Sequence, residues 1–188
     1  MWPWGHLGFS YLCYLASIEG RDEGEQTLLT LVAVAIGSQF PDLVDKPLAS
    51  NAGILPTGRS LAHSLGTATV VIGVVRWIGR RRGREEEAFA FSVGYLTHSL
   101  ADLEPGVVLG LLSGDRSQLK RTTFLFWPFL PSPEYPHPHR SIRKRFSTLE
   151  LDQYTMSQFV LFGIATVVWV ATGIPGVGEL RREVRNRL

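Results

Sequence analysis

The chain has 188 residues, a net charge of +2, 19% charged and 45% hydrophobic residues, which is one domain with a sizeable core and no large electrostatic field. Its mean hydropathy of +0.08 is high for a soluble protein and low for a fully buried polytopic one. The single Cys13 excludes an intrachain disulfide framework and a zinc ribbon, and its apolar-aromatic neighbours mark it as packing rather than a nucleophile.

The opening Met1-Trp2-Pro3-Trp4-Gly5-His6 lacks the basic region of a cleavable signal peptide and reads as a mature start, with two tryptophans suited to a membrane interface. His6 to Ser17 is apolar, aromatic or small and predicts a first helix, followed by a charged loop over 19–25. A second apolar helix is expected from Thr27 to Gly37, stopped by Gly37-Ser38 and Pro41. Asp42 and Asp45 then fall in Phe40-Pro41-Asp42-Leu43-Val44-Asp45-Lys46-Pro47, which reads as turn chemistry at a helix end. Residues 47–59 read as an irregular loop. A third helix is expected from Ser60, with His63 in its first turn and small residues at 62, 66, 69 and 73 forming a seam for close helix approach.

Arg76, Arg80, Arg81, Arg82 and Arg84, with Glu85-Glu86-Glu87 behind them, lack the interleaved aromatics of a nucleic-acid surface and fit a cytoplasmic loop. A fourth helix, Ala88 to Asp102, is short for a full span at about 1.5 Å per residue and is followed by a further apolar stretch from Gly106 to Leu112. Residues 113–150 form a loop region whose 124–136 segment is aromatic and rich in proline, unsuited to a regular helix. His137 and His139 end that segment as a His-x-His pair, read as solvated, beside Arg140, Arg143, Lys144 and Arg145. Gln153 to Gly178 is 26 residues without a charge and is the clearest transmembrane segment. The arginine-rich tail, Glu179 to Leu188, is expected on the cytoplasmic side.

The expectation is therefore an all-α, multi-pass membrane bundle of four to five apolar helices in one domain: 1–112 a metal-site core, 113–150 a loop region, 151–188 a transmembrane helix and tail. The centre of that core is Leu96-Thr97-His98-Ser99-Leu100-Ala101-Asp102, where His98 and Asp102 share a helix face at i and i+4. His6, Asp42, Asp45 and His63 also stand at or near the ends of apolar segments. Ionisable groups in such places are costly unless paired or coordinated, and three histidines with three aspartates point to a shared metal centre. Nitrogen and oxygen donors without thiolate favour zinc, with manganese or iron as alternatives. Six candidate ligands suit one ion or two, and an open coordination position implies activated water and hydrolysis.

The order of an N-terminal histidine, Pro41-Asp42-Leu43-Val44-Asp45, Arg59-x-x-x-His63-Ser64 and His98-x-x-x-Asp102 resembles the YdjM-like family of membrane-bound metal-dependent hydrolases. The opening Trp2-Pro3-Trp4-Gly5-His6 and Gly58-Arg59-Ser60-Leu61-Ala62-His63-Ser64 resemble its archaeal branch, and the likeness covers roughly residues 1–112. The family is more remotely similar to zinc-dependent phospholipases C. Many relatives have His-Arg where this chain has Gly58-Arg59, and their Pro-Asp-x-Asp is stretched here, which leaves open whether Asp42 or Asp45 coordinates. The resemblance implies metal-assisted hydrolysis of a membrane lipid or phosphoester. His6, His63, His98 and Asp102 would coordinate, and Asp42 or Asp45 would bridge or act as general base. Arg59 would clamp a phosphate oxygen or form a salt bridge to Asp42 or Asp45. The rival reading is a non-enzymatic membrane protein with a structural metal.

Overall fold

The computed structural model describes residues 1–19, 21, 24–133 and 151–187. Local chemistry sets most helix ends. α1 (Pro3–Ile18) opens on a proline, which costs nothing where an amide has no partner inside the helix. α2 (Leu28–Ser50) begins at a capping box in which Thr27 and Thr30 satisfy each other's backbone amides. Ser64 caps α3 (Leu65–Arg82), which ends at Gly83 with φ +63°. α4 (Glu85–Ala101) places Glu85, Glu86 and Glu87 in its first turn, at the positive end of its dipole. After α5 (Pro105–Leu112) come two 3₁₀ turns, Arg116–Arg121 and Thr123–Phe126. Asp152 caps α6 (Gln153–Ala171), and α7 (Val177–Arg187) follows. The all-helical expectation holds: the described residues contain seven α-helices and no strand.

The most extensive packing is α2 against α4, with α1 laid across both and α6 packed on α1. Glycines allow the close crossings. A Cβ at Gly37 would run into the Phe91 carbonyl of α4, and one at Gly94 into the Val34 carbonyl of α2. At the α1–α6 crossing a Cβ on Gly8 would lie 3.0 Å from Phe162 Cα. The apolar core is small, centred on Tyr14, Ile18, Val34 and Ala90. Large apolar side chains lie outside instead: Val70, Val74 and Trp77 on α3, Val160, Ile164 and Val167 on α6. Polar groups inside and apolar groups outside suit a lipid solvent rather than water.

Three expected boundaries are corrected. The second helix does not stop at Gly37 but continues to Ser50 through Pro41 and Pro47, so Asp42 and Asp45 are helical rather than turn residues. Pro41 has no amide to give the Gly37 carbonyl, and the buried crossing with α4 carries the helix past that gap. The third helix starts at Leu65, not Ser60, leaving Arg59 and His63 in a segment of bends and turns. The uncharged C-terminal stretch is not one helix. It breaks after Ala171, where Gly173, Ile174 and Gly176 all take positive φ around Pro175.

Among the described residues two helices, α2 and α6, are long and apolar enough to cross a membrane, fewer than the four to five apolar helices expected for the bundle. The others fall short for visible reasons: α3 closes on three arginines, α4 opens on three glutamates, and α5 has eight residues. His137, His139 and the basic residues at 140–145 lie outside the described residues.

Candidate metal centre

The centre forms where one end of α2, the C-terminal end of α4, the N-terminal end of α1 and the 57–64 turn meet. Asp45 organises that turn. Its carboxylate accepts the amides of Ser60 (2.8 Å), Ala62 (2.8 Å) and His63 (3.3 Å), and its Oδ2 also lies 2.8 Å from His63 Nδ1. Both Asp45 oxygens are thereby spent on holding His63 and its loop. Tyr95 donates to the Ala62 carbonyl at 2.7 Å, and the Phe124 ring meets His63 edge-on.

His98 is fixed in a similar way. Its Nδ1 lies 2.5 Å from the Ser38 backbone carbonyl, one residue beyond the Gly37 carbonyl that Pro41 leaves without its helical partner. A ring nitrogen that faces a carbonyl carries the proton, so the lone pair sits on Nε2. In both histidines Nδ1 is held by an oxygen and Nε2 points inward, the tautomer selection typical of metal-ligating histidines.

The inward atoms converge. His63 Nε2 and His98 Nε2 are 3.1 Å apart. Asp102 Oδ2 is 3.2 Å from His63 Nε2 and 3.9 Å from His98 Nε2; Asp42 Oδ1 is 3.7 and 3.8 Å from the same atoms. Four ligands at about 2.0–2.2 Å from one tetrahedral ion stand about 3.3–3.6 Å apart, so these spacings bracket the required edge. Asp42, His63, His98 and Asp102 are all buried, and their ligand atoms lie within 4.8 Å of one another: the group could hold a metal ion. Asp42 Oδ1 is buried without a hydrogen-bond partner, a costly state that a cation would relieve.

His6 stands beside this group. It is fully buried, both ring nitrogens lack hydrogen-bond partners, and its ring stacks on His98 with centroids 3.8 Å apart. Its Nε2 is 3.3 Å from Asp102 Oδ1, the oxygen turned away from His63. The Met1 amino group contacts that same oxygen at 2.6 Å. Arg59 meets Asp102, not Asp42 or Asp45: Nε is 2.8 Å from Oδ2 and a terminal nitrogen 3.1 Å from Oδ1, a two-pronged pairing. Burial alone would raise the Asp102 carboxyl, but the Arg59 guanidinium and the Met1 amino group hold it well below the usual carboxylate range.

The structure thus gathers Asp42, His63, His98 and Asp102 tightly, sets His6 on the far side of Asp102, and keeps Asp45 behind His63. Sequence reasoning missed Lys46, whose ammonium pairs with Asp42 Oδ2 from one helical turn away. The i,i+4 spacing was visible in the sequence, but a helix assumed to stop before Pro41 hid it. The Ser38 carbonyl and the Ser60 and Ala62 amides carry no side-chain signal to read.

The fold is helical with many apolar side chains outside, and its buried histidine–aspartate cluster could hold a metal ion. The chain belongs to the YdjM inner membrane protein family, whose model matches residues 1–177, well beyond the 1–112 that the motifs cover. No curated protein and no solved structure matches it.

Proposed function

We propose that the protein is a membrane-bound, metal-dependent hydrolase of a phosphoester or phospholipid, with a divalent ion, zinc before manganese or iron, held by Asp42, His63, His98 and Asp102. The observation that carries this reading is the pair of histidines whose Nδ1 atoms are tied to the Ser38 carbonyl and Asp45, which aims two Nε2 lone pairs at one point beside the unpartnered Asp42 Oδ1. Such an ion would supply Lewis-acid polarisation of a phosphoryl oxygen and activation of water near neutral pH.

The protein's own groups divide the remaining work. Asp42 would hold the ion through Oδ1 while its Oδ2 stays paired with Lys46. Asp45 positions His63, and Arg59 fixes Asp102 while presenting its guanidinium toward an incoming phosphate. His6 would be available to hold an ion beside the four, across Asp102. The chain crosses the bilayer more than once, and the arginines that close α3 and recur in α7 mark the cytoplasmic end.

The non-enzymatic alternative keeps one supporting observation: all four ligand residues are buried, as in closed structural sites. Purification in detergent, elemental analysis, and a phosphodiester and phospholipid hydrolysis screen of wild type against His98→Ala separate the two. Metal-dependent turnover lost in His98→Ala supports the hydrolase. Bound metal without turnover across the screen supports the structural role.

A further inference from the structure

The charged groups of the centre differ sharply in exposure. The side chains of His6, Asp45, His63 and His98 are fully buried, and those of Asp102 and Asp42 are 2% and 9% exposed. Lys46 and Arg59 are 22% and 20% exposed. Lys46 and Arg59 are thus the most exposed charged groups of the centre.

These cations come from different elements that pack against each other. Lys46 lies on α2, and Arg59 on the turn whose Gly58 packs on the Lys46 stem: a Cβ there would lie 3.3 Å from Lys46 Cγ. Each is anchored to a different ligand carboxylate, Lys46 to Asp42 Oδ2 and Arg59 to Asp102. Leaving the Met1 amino group aside, the carboxylates of Asp42, Asp45 and Asp102 face the two cations of Lys46 and Arg59, a net charge of −1 with neutral histidines. A divalent ion would turn this to +1 and take over the charge of Asp42 and Asp102. The Lys46 ammonium would then have donors to spare for an anion.

We propose that Lys46 and Arg59 form a cationic rim that recognises the phosphate group of the substrate, with Lys46 as a specificity-determining residue of the loaded centre. The inference rests on the metal reading above. It narrows the substrate to one that brings a negatively charged phosphate to the mouth of the site, as a lipid headgroup or a soluble ester.

The test uses the full chain in detergent, loaded with zinc, and follows binding calorimetrically with two probes: inorganic phosphate and phosphatidic acid in mixed micelles. Wild type should bind at least one, phosphatidic acid alone indicating a lipid source and inorganic phosphate a soluble one. Lys46→Met should weaken that binding by about tenfold or more, the loss of one charge-assisted hydrogen bond, with zinc content at the wild-type level. Lys46→Arg should recover most of it. Unchanged affinity in Lys46→Met overturns the proposal, as does zinc lost together with phosphate, since Lys46 would then only support Asp42. Zinc-loaded wild type that binds neither probe also overturns it and leaves the metal centre standing. Wild type that retains no zinc, manganese or iron overturns the metal reading itself.

Discussion

α2 and α6 have nearly the same mean hydropathy, 1.4 and 1.5 over their most apolar stretches, yet opposite relations to the rest of the chain. Of α2's stretch 39% is buried, against 17% of α6's. α2 lies in the middle of the packing, supplies Asp42 and Asp45, and offers the Ser38 carbonyl to His98. α6 touches the bundle chiefly along α1, through Gly8 against Phe162 and the Gln158 side chain that accepts the Trp2 amide at 2.6 Å. Hydropathy measures what a helix can be dissolved in, not what it does. The difference lies in a few polar atoms, which on α2 point inward at a common centre.

The sharpest way to break the contrast is at the centre. His63→Ala and His98→Ala should each abolish the metal retained after desalting, measured by elemental analysis. A His98→Ala protein with full metal content would sink the site as described. Asp45→Asn should act more mildly, because Asp45 orients a ligand without reaching the centre: metal affinity should fall about 10–100-fold, with full occupancy recovered at saturating metal. Competition with a chelator of known affinity measures this. If Asp45→Asn behaves like His63→Ala, Asp45 is itself a ligand.

Much of this was legible beforehand, and the rest was hidden for identifiable reasons. His98 and Asp102 sit four apart in an apolar run, and a helix is the one regular element that brings such residues together, so half of the centre was readable from spacing. His6, His63 and Asp42 were readable as ionisable groups at the margins of apolar segments. The division of labour between Asp42 and Asp45 was not, because it depends on which carboxylate the 57–64 backbone wraps around. Pro41 misled most: a proline preceded by Gly-Ser signals a helix stop, and local propensity was overridden by the α2–α4 crossing that Gly37 and Gly94 permit. The same chemistry around Pro175 does end a helix, because there Gly173, Ile174 and Gly176 take positive φ and leave no continuous ladder. The apolar exterior was legible as composition. Which faces it covers required the packing.

That crossing supplies the next test. Gly94→Val would force side-chain atoms against the Val34 carbonyl and Ser38 amide of α2. Overpacking of this kind costs roughly 1–3 kcal/mol, read as a lower thermal midpoint in detergent. Because Ser38 also holds His98, metal affinity should fall with stability. A variant that loses stability but keeps its metal affinity would uncouple the crossing from the centre.

The smallest effect is expected on α6, and its sign carries the information. Gly163 lies one residue from Phe162 in the helix interior, yet a Cβ built there meets nothing within 4 Å. Gly163→Ala gains helix propensity without steric cost, so it should stabilise by about 0.5–1 kcal/mol, seen as a slightly higher thermal midpoint. Unlike Gly94, this glycine has no backbone to make room for. A destabilised Gly163→Ala protein would mean that this face of α6 is covered by a close neighbour, and α6 would then resemble α2 more closely than its burial suggests.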